Sequence, residues 1–327
     1  MVAKLRLFSL CPMLCMINLP TNSAQTRRRE AGQPVYNLSK LYYPLTAKPD
    51  ETSEYLPVKA LQPYIRCFWG TADMHTSDCA HFQNPAADMY PDPTRAGSQT
   101  GQEIIIPDSC MDIIWEWENG AEEASGIFCG INDEPFVSGQ AGLGPHTSMF
   151  AVRFYFWSVH LFADDHLREV LNAHVHVEQY FAAFCRELSG RLPRTRSVAE
   201  RISLAEAYLL HRLENKRRSH DGMMNAVYAM LKNKGAVSAG ELEISSGVGS
   251  RQLERLFREN TGVSPKKAAD LIRFQNVWRE MLFSSQRPDC IQDIVFAYGY
   301  SHQSHMINNF KKYAGMTPRE ALKYAGR

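Results

Sequence analysis

One helical unit occurs twice between residues 225 and 324, and this repeat constrains the fold more than any other feature. The first copy reads Phe257-Arg-Glu-Asn-Thr-Gly262-Val-Ser264-Pro265-Lys-Lys-Ala268. The second reads Phe310-Lys-Lys-Tyr-Ala-Gly315-Met-Thr317-Pro318-Arg-Glu-Ala321, 53 residues later. Two copies are too few for a solenoid, but they suit two small modules joined by a helix.

Local chemistry predicts the same plan in each copy. In the first, Glu241–Ser245 reads as a short helix, Ser246-Gly247-Val248 as a turn and Ser250–Asn260 as a second helix. Gly247 supplies the positive φ a tight turn needs. Leu253, Leu256 and Phe257 fall at i, i+3, i+4 and form one apolar stripe. Gly262 ends the helix, and Ser264-Pro265 opens the next with a cap and a first-turn proline. In the second copy, Ile291–Ala297 is the first helix, Tyr298-Gly299-Tyr300 the turn and Ser301 the expected N-cap. Met306, Ile307 and Phe310 form its stripe, Gly315 closes it and Thr317-Pro318 opens the last helix. Gly247 and Gly299 lie 52 apart but Phe257 and Phe310 lie 53 apart, which predicts one extra residue in the second recognition helix.

Helix, Gly turn, helix is the plan that lays its second helix in the DNA major groove. Opposite the apolar stripes lie Arg251, Glu254 and Arg255 in the first copy, and Gln303, Ser304, His305 and Asn308 in the second. Arg suits guanine O6/N7, and Gln and Asn suit adenine N6/N7. Residues 223–326 resemble the DNA-binding domain of the AraC/XylS family of bacterial transcription regulators, and Ile291–Pro318 matches the family's signature region. The sequence departs from that pattern at Asn276-Val277, where the family usually has a basic residue, and at Val248-Gly249-Ser250, which replaces the usual Ser-Pro. The resemblance implies binding of double-stranded operator DNA, with the seven polar residues above reading bases. Ser250, Lys266, Lys267, Lys311 and Lys312 are the expected phosphate contacts. It further implies RNA polymerase and a second copy of the chain as partners, a cytoplasmic location and no membrane association.

Charge is distributed in agreement. The chain has a net charge of +1, but residues 221–327 carry 15 Lys/Arg against 10 Asp/Glu, a net of +5. The remainder carries 21 against 25. A basic C-terminal part suits nucleic acid. Eight cysteines are scattered without zinc-site spacing or a dense disulfide framework, as in a reducing compartment. Lys4 and Arg6 precede an apolar run from Leu7 to Leu19 that resembles a secretory signal, with Pro12 inside it. A misassigned start at Met13 or Met16, or a disordered leader, also accounts for that run.

Upstream of the repeat the chain reads as β-rich. Residues 1–52 are expected to be a leader, 53–216 a β-domain ending in helices and 217–327 the DNA-binding domain. Strands are expected at Leu61–Trp69, Glu103–Pro107, Met111–Trp117, Gly126–Gly130, Glu134–Val137 and Ser148–Trp157. A long loop is expected over Thr71–Gln102, and helices over Val159–Phe162, Asp165–Leu171, Val177–Leu188 and Val198–Lys216. The series Ile104–Ile114, Phe128-x-Gly130 and Val152–Phe162 resembles the cupin-like sensor domain of some AraC-type regulators. The fold class is therefore α+β: a cupin-like β-barrel or sandwich followed by an all-α domain with two helix-turn-helix units. The resemblance implies an unknown small-molecule effector.

Asp108, Asp112 and Arg153 are polar residues beside strands that either pair with one another or bind such an effector. His174-Val-His176-Val-Glu178 and Asp73/His75/Cys79/His81 have metal-ligating residue types, but neither has the context of a metal site, and no metal or cofactor is expected. No catalytic triad, phosphate loop or nucleotide fingerprint is recognisable, so no catalytic residue is assigned. A cupin-like metal-dependent enzyme and a protein-interaction adaptor are the alternatives.

Overall fold

The computed structural model describes residues 37–49, 54–71, 103–138, 146–215, 221–283 and 291–327. The fold is α+β, with a β-sheet region followed by a helical region. The strands are β1 (Ile65–Gly70), β2 (Glu103–Ile105), β3 (Cys110–Glu118), β4 (Ser125–Cys129), β5 (Phe136–Ser138), β6 (Thr147–Tyr155) and β7 (His174–His176). Five form an antiparallel sheet in the order β1-β6-β3-β4-β7, and β2 pairs with β5. Alternation sets the register: Met111, Ile113, Trp115 and Trp117 of β3 are buried, as are Phe150, Val152 and Phe154 of β6.

Two helices, α1 (Glu178–Leu188) and α2 (Val198–Glu214), cover that aromatic face. Phe184 of α1 meets Trp115 edge-on at 5.0 Å and stacks on Tyr208 of α2 at 4.5 Å. These aromatics are core. Near-perpendicular and offset rings at such distances are preferred packing arrangements.

The helical domain comprises α3 (Asp221–Lys232), α4 (Ala239–Ser246), α5 (Ser250–Thr261), α6 (Pro265–Phe283), α7 (Ile291–Ala297), α8 (Gln303–Ala314) and α9 (Pro318–Tyr324). The four repeat glycines have the left-handed conformation expected of them. Gly247 and Gly299 take φ of 70° and 66° in the turns, and Gly262 and Gly315 cap α5 and α8 with φ of 75° and 73°. Capping boxes open α4 through Ser238 and Glu241, and α9 through Thr317 and Glu320.

The structure differs from the sequence expectations at five places. Residues 37–49, assigned to the leader, are ordered against the core, with Leu38, Tyr42, Leu45 and Ala47 buried. Asp165–Leu171 is irregular rather than helical, because Leu167 and Val170 are used to seat the β-domain on α5. Helix α3, Asp221–Lys232, lies where the sequence suggests no particular element. Ser301 is not the cap of α8: the His302 ring nitrogen accepts from His305 N at 3.1 Å. The extra residue of the second copy lies in its turn, since α5 starts three residues after Gly247 and α8 four after Gly299. The signal-like run, the long loop with its His/Cys cluster and Lys216–His220 lie outside the described residues.

Candidate DNA-binding surface

The repeat aligns Ser250 with Gln303, and thereby matches residues of the two recognition helices one to one. Arg251 pairs with Ser304, Gln252 with His305 and Arg255 with Asn308; all six are exposed. Gln252 was not singled out from the sequence. Its signal was available in the repeat, once the extra residue is placed in the turn instead of the helix. Leu253 and Phe257, like Met306 and Phe310, turn inward and fix which face is presented.

The side chains expected to read bases are held differently. Glu254 accepts from Arg258 Nε at 2.8 Å, an exposed i,i+4 pair. His305 lies edge-on to Tyr300 at 5.3 Å, and its Nδ1 lies 3.1 Å from Ser301 Oγ, so the turn restrains it. Ser250 donates its backbone N–H to Glu243 at 2.9 Å. Ser250, Glu254 and Lys266 line one cleft of ≈ 420 Å³ beside α5, together with Asp270 and Arg273.

The remaining lysines are not grouped with these side chains. Lys311 and Lys312 occupy the last turn of α8, about 12–14 Å along the axis from Gln303 at 1.5 Å per residue. Lys267, expected at phosphate, instead forms an ion pair with Asp133 of the β-domain. Burial raises the Asp133 pKa, but hydrogen bonds from Lys267 and Asn172 outweigh it and hold the carboxyl below its usual range.

The β-domain sits at the other ends of the recognition helices. A Cβ on Gly262 would lie 2.5 Å from Val170, and one on Gly315 would lie 3.0 Å from Pro135. Leu167 N donates to Glu259 O at 2.8 Å, and Arg168 pairs with the Glu259 carboxylate at 2.6 Å. Both helices thus meet the β-domain at their C-termini, leaving the N-terminal turns exposed.

Asp108, Asp112 and Arg153 do converge. Arg153 Nε donates to both Asp112 oxygens at 3.1 and 3.3 Å, and its Nη2 lies 3.2 Å from Asp108. Trp69 Nε1 donates to Asp112 at 2.9 Å. Burial opposes charge on Arg153, but the two carboxylates hold it firmly protonated. The cluster is internally paired. His174 and His176 lie exposed on edge strand β7, with the His174 ring against Phe136 at 5.6 Å. Among the described residues, no three His, Cys, Asp or Glu side chains converge as a metal site, and no helix is long and apolar enough to cross a membrane.

Residues 245–324 match a family model described as a helix-turn-helix domain. The chain carries an AraC-type helix-turn-helix domain. The chain is 33% identical over 81 residues to the HTH-type transcriptional regulator GlxA of Rhizobium meliloti (strain 1021). That match covers 25% of this chain and 24% of the relative, so the chain spans about a quarter of the relative's length. Residues 53–176 match a domain of unknown function, DUF6597. A crystal structure of an AraC-type transcriptional regulator from Chromobacterium violaceum is 27% identical, covering 32% of this chain and 93% of that one, with a TM-score of 0.29. ToxT from Vibrio cholerae is 13% identical, covering 69% of this chain and 96% of its own, with a TM-score of 0.36.

Proposed function

We propose that this protein is a sequence-specific transcription regulator that binds double-stranded DNA through both helix-turn-helix units and answers to a small-molecule effector. The observation that carries the reading is the pair of exposed N-terminal turns, Ser250–Arg255 and Gln303–Asn308, on one helical frame. Each would occupy a major-groove segment on one face of the duplex. Arg251, Gln252, Glu254 and Arg255 read the first segment; Gln303, Ser304, His305 and Asn308 read the second. Ser250, Lys266, Lys311 and Lys312 serve the phosphates, whereas Lys267 is occupied by Asp133. A cytoplasmic location follows from this role, and RNA polymerase and a second copy of the chain are the further partners it implies. On this reading the described residues up to 215 form the sensor domain and those from 221 onward the DNA-binding domain.

Selection of bound sequences from random DNA by the full chain, at two salt concentrations, tests the reading. The expected result is one motif of about two helical turns with marked salt dependence. Arg255→Ala should relax one base position at a cost of about 1–3 kcal/mol, and Asn308→Ala should relax a different one. Equal losses on every sequence would assign both residues to phosphate. Sequence-blind binding throughout would remove the base-reading assignment.

A further inference from the structure

A buried amide, that of Gln275, joins the linker helix α6 to the β-domain. Gln275 is 1% exposed. Its Oε1 accepts from Leu45 N at 2.8 Å, while its Nε2 donates to Leu45 O at 3.1 Å and to Pro107 O at 2.7 Å. Both amide donors and the acceptor are thus engaged by main chain outside the helical domain. One turn along, Trp278 Nε1 donates to Thr46 O at 3.0 Å. The gap enclosed by Ala47, Ile106, Trp278, Phe310, Met316 and Tyr324 is only ≈ 10 Å³, at the lower limit for one water.

Pro107 opens a turn that also belongs to the polar cluster. Asp108 pairs with Arg153 and accepts from Cys110 N at 2.8 Å. Tyr42 donates to Asp108 O or Ser109 Oγ, at 3.1 and 3.2 Å, three residues before the Leu45 that Gln275 holds. Ser109 has φ of 63°, a left-handed conformation that persists when its surroundings enforce it. The turn therefore faces Arg153 on one side and α6 on the other. Helix α6 in turn joins the two helix-turn-helix units, with Phe274 and Trp278 against Phe310 at 5.3 and 5.9 Å.

We propose that Gln275 is a positioning residue coupling the Pro107–Ser109 turn to the linker helix, so that an anionic effector displacing Asp108 from Arg153 changes DNA affinity through this amide. A carboxylate or phosphate is the chemistry Arg153 would accept. A buried carbonyl left without its donor is costly, so the turn and the helix move together. The coupling is reciprocal: bound DNA would change the affinity for the anion by the same factor. This inference rests on the DNA-binding reading above.

The test uses the full chain as wild type, Asp108→Asn, Gln275→Met and the double variant, with Trp278→Phe as a comparison. Amide hydrogen exchange is measured without DNA, and affinity on the selected operator. Asp108→Asn should speed exchange in α6 and change operator affinity by about threefold or more, a usual size for such coupling. Neither effect should appear when Gln275→Met is already present, and both should survive in Trp278→Phe. Equal effects of Asp108→Asn with and without Gln275 would overturn the proposal, as would their loss in Trp278→Phe. If wild type binds no DNA, the regulator reading fails and the exchange data alone decide the coupling. If Gln275→Met does not fold, the Trp278→Phe series still decides it: coupling that depends on general packing disappears there.

Discussion

The two helix-turn-helix copies share a backbone plan but solve the start of the recognition helix differently. In the first copy Gly249 caps α5 without a side chain, and Glu243 reaches across from α4 to accept from Ser250 N. In the second, the extra turn residue makes room for His302, whose own ring caps α8. The reading surfaces diverge too. Arg251, Arg255 and Arg258 bring positive charge to the first, whereas Gln303, Ser304 and Asn308 offer neutral donors and acceptors. A repeated scaffold fixes where side chains are presented and leaves their chemistry free, so affinity and its salt dependence should come more from the first copy.

Core substitutions break the comparison most severely. Phe257→Ala and Phe310→Ala remove equivalent, fully buried rings and should each cost about 3–5 kcal/mol by denaturant unfolding. Their consequences should differ. Phe310 packs on Phe274 and Trp278, so its loss should also loosen residues 44–47, seen as faster amide exchange there. Phe257→Ala should leave that segment protected. Identical exchange patterns would show that the junction is insensitive to which copy is damaged.

Changing the caps has a smaller effect. His302→Ala and Glu243→Ala each delete the acceptor at a recognition-helix start, and each should cost about 0.5–2 kcal/mol. His302→Asn should recover most of the first loss. Gly249→Ser should recover the second, because φ at Gly249 is −68° and an added Cβ there meets no atom within 4 Å. Failure of Gly249→Ser to rescue would mean that Glu243 does more than cap α5.

What the sequence reveals about these copies depends on how local the signal is. Gly247, Gly262, Gly299 and Gly315 announce themselves, because each has a left-handed conformation set by neighbouring residues alone. The exposed polar positions of α5 and α8 are legible for the same reason, as those left over by a 3.6-residue stripe, except that Gln252 is passed over when the extra residue is placed in the helix. The cap of α8 is not, since Ser301 and His302 both have acceptors and one residue of turn length decides between them. Segment 37–49 is illegible: Leu38, Tyr42 and Leu45 follow no period, and they are buried through partners as distant as Gln275 and Trp278. Asp165–Leu171 misleads in the opposite direction, because its apolar spacing suits a helix while Leu167 N is needed by Glu259. Likewise Asp108, Asp112 and Arg153 can be grouped from sequence, but only the β3–β6 register, Asp112 opposite Arg153, shows that they satisfy one another.

The smallest expected effect tests whether the β-domain grips the two copies equally. Asp133 pairs with Lys267, at the end of the first copy, and also feels Lys312 in the second. Its folded-state pKa is lowered, so the pair stabilises the protein above the unfolded carboxylate range. That contribution is lost as pH falls through the folded value, below the ordinary pKa of 3.8. Lys267→Met should cost about 0.2–1 kcal/mol near neutral pH, a modest sum because the ammonium keeps solvent contact. The difference from wild type should vanish below the carboxylate range, where Asp133 is protonated in both. Lys312→Met should cost less, since Lys312 lies over its neighbour Tyr313 and reaches Asp133 only through the field. Equal costs for the two lysines would mean that Asp133 is shared between the copies, and the β-domain would then hold both recognition helices through one carboxylate.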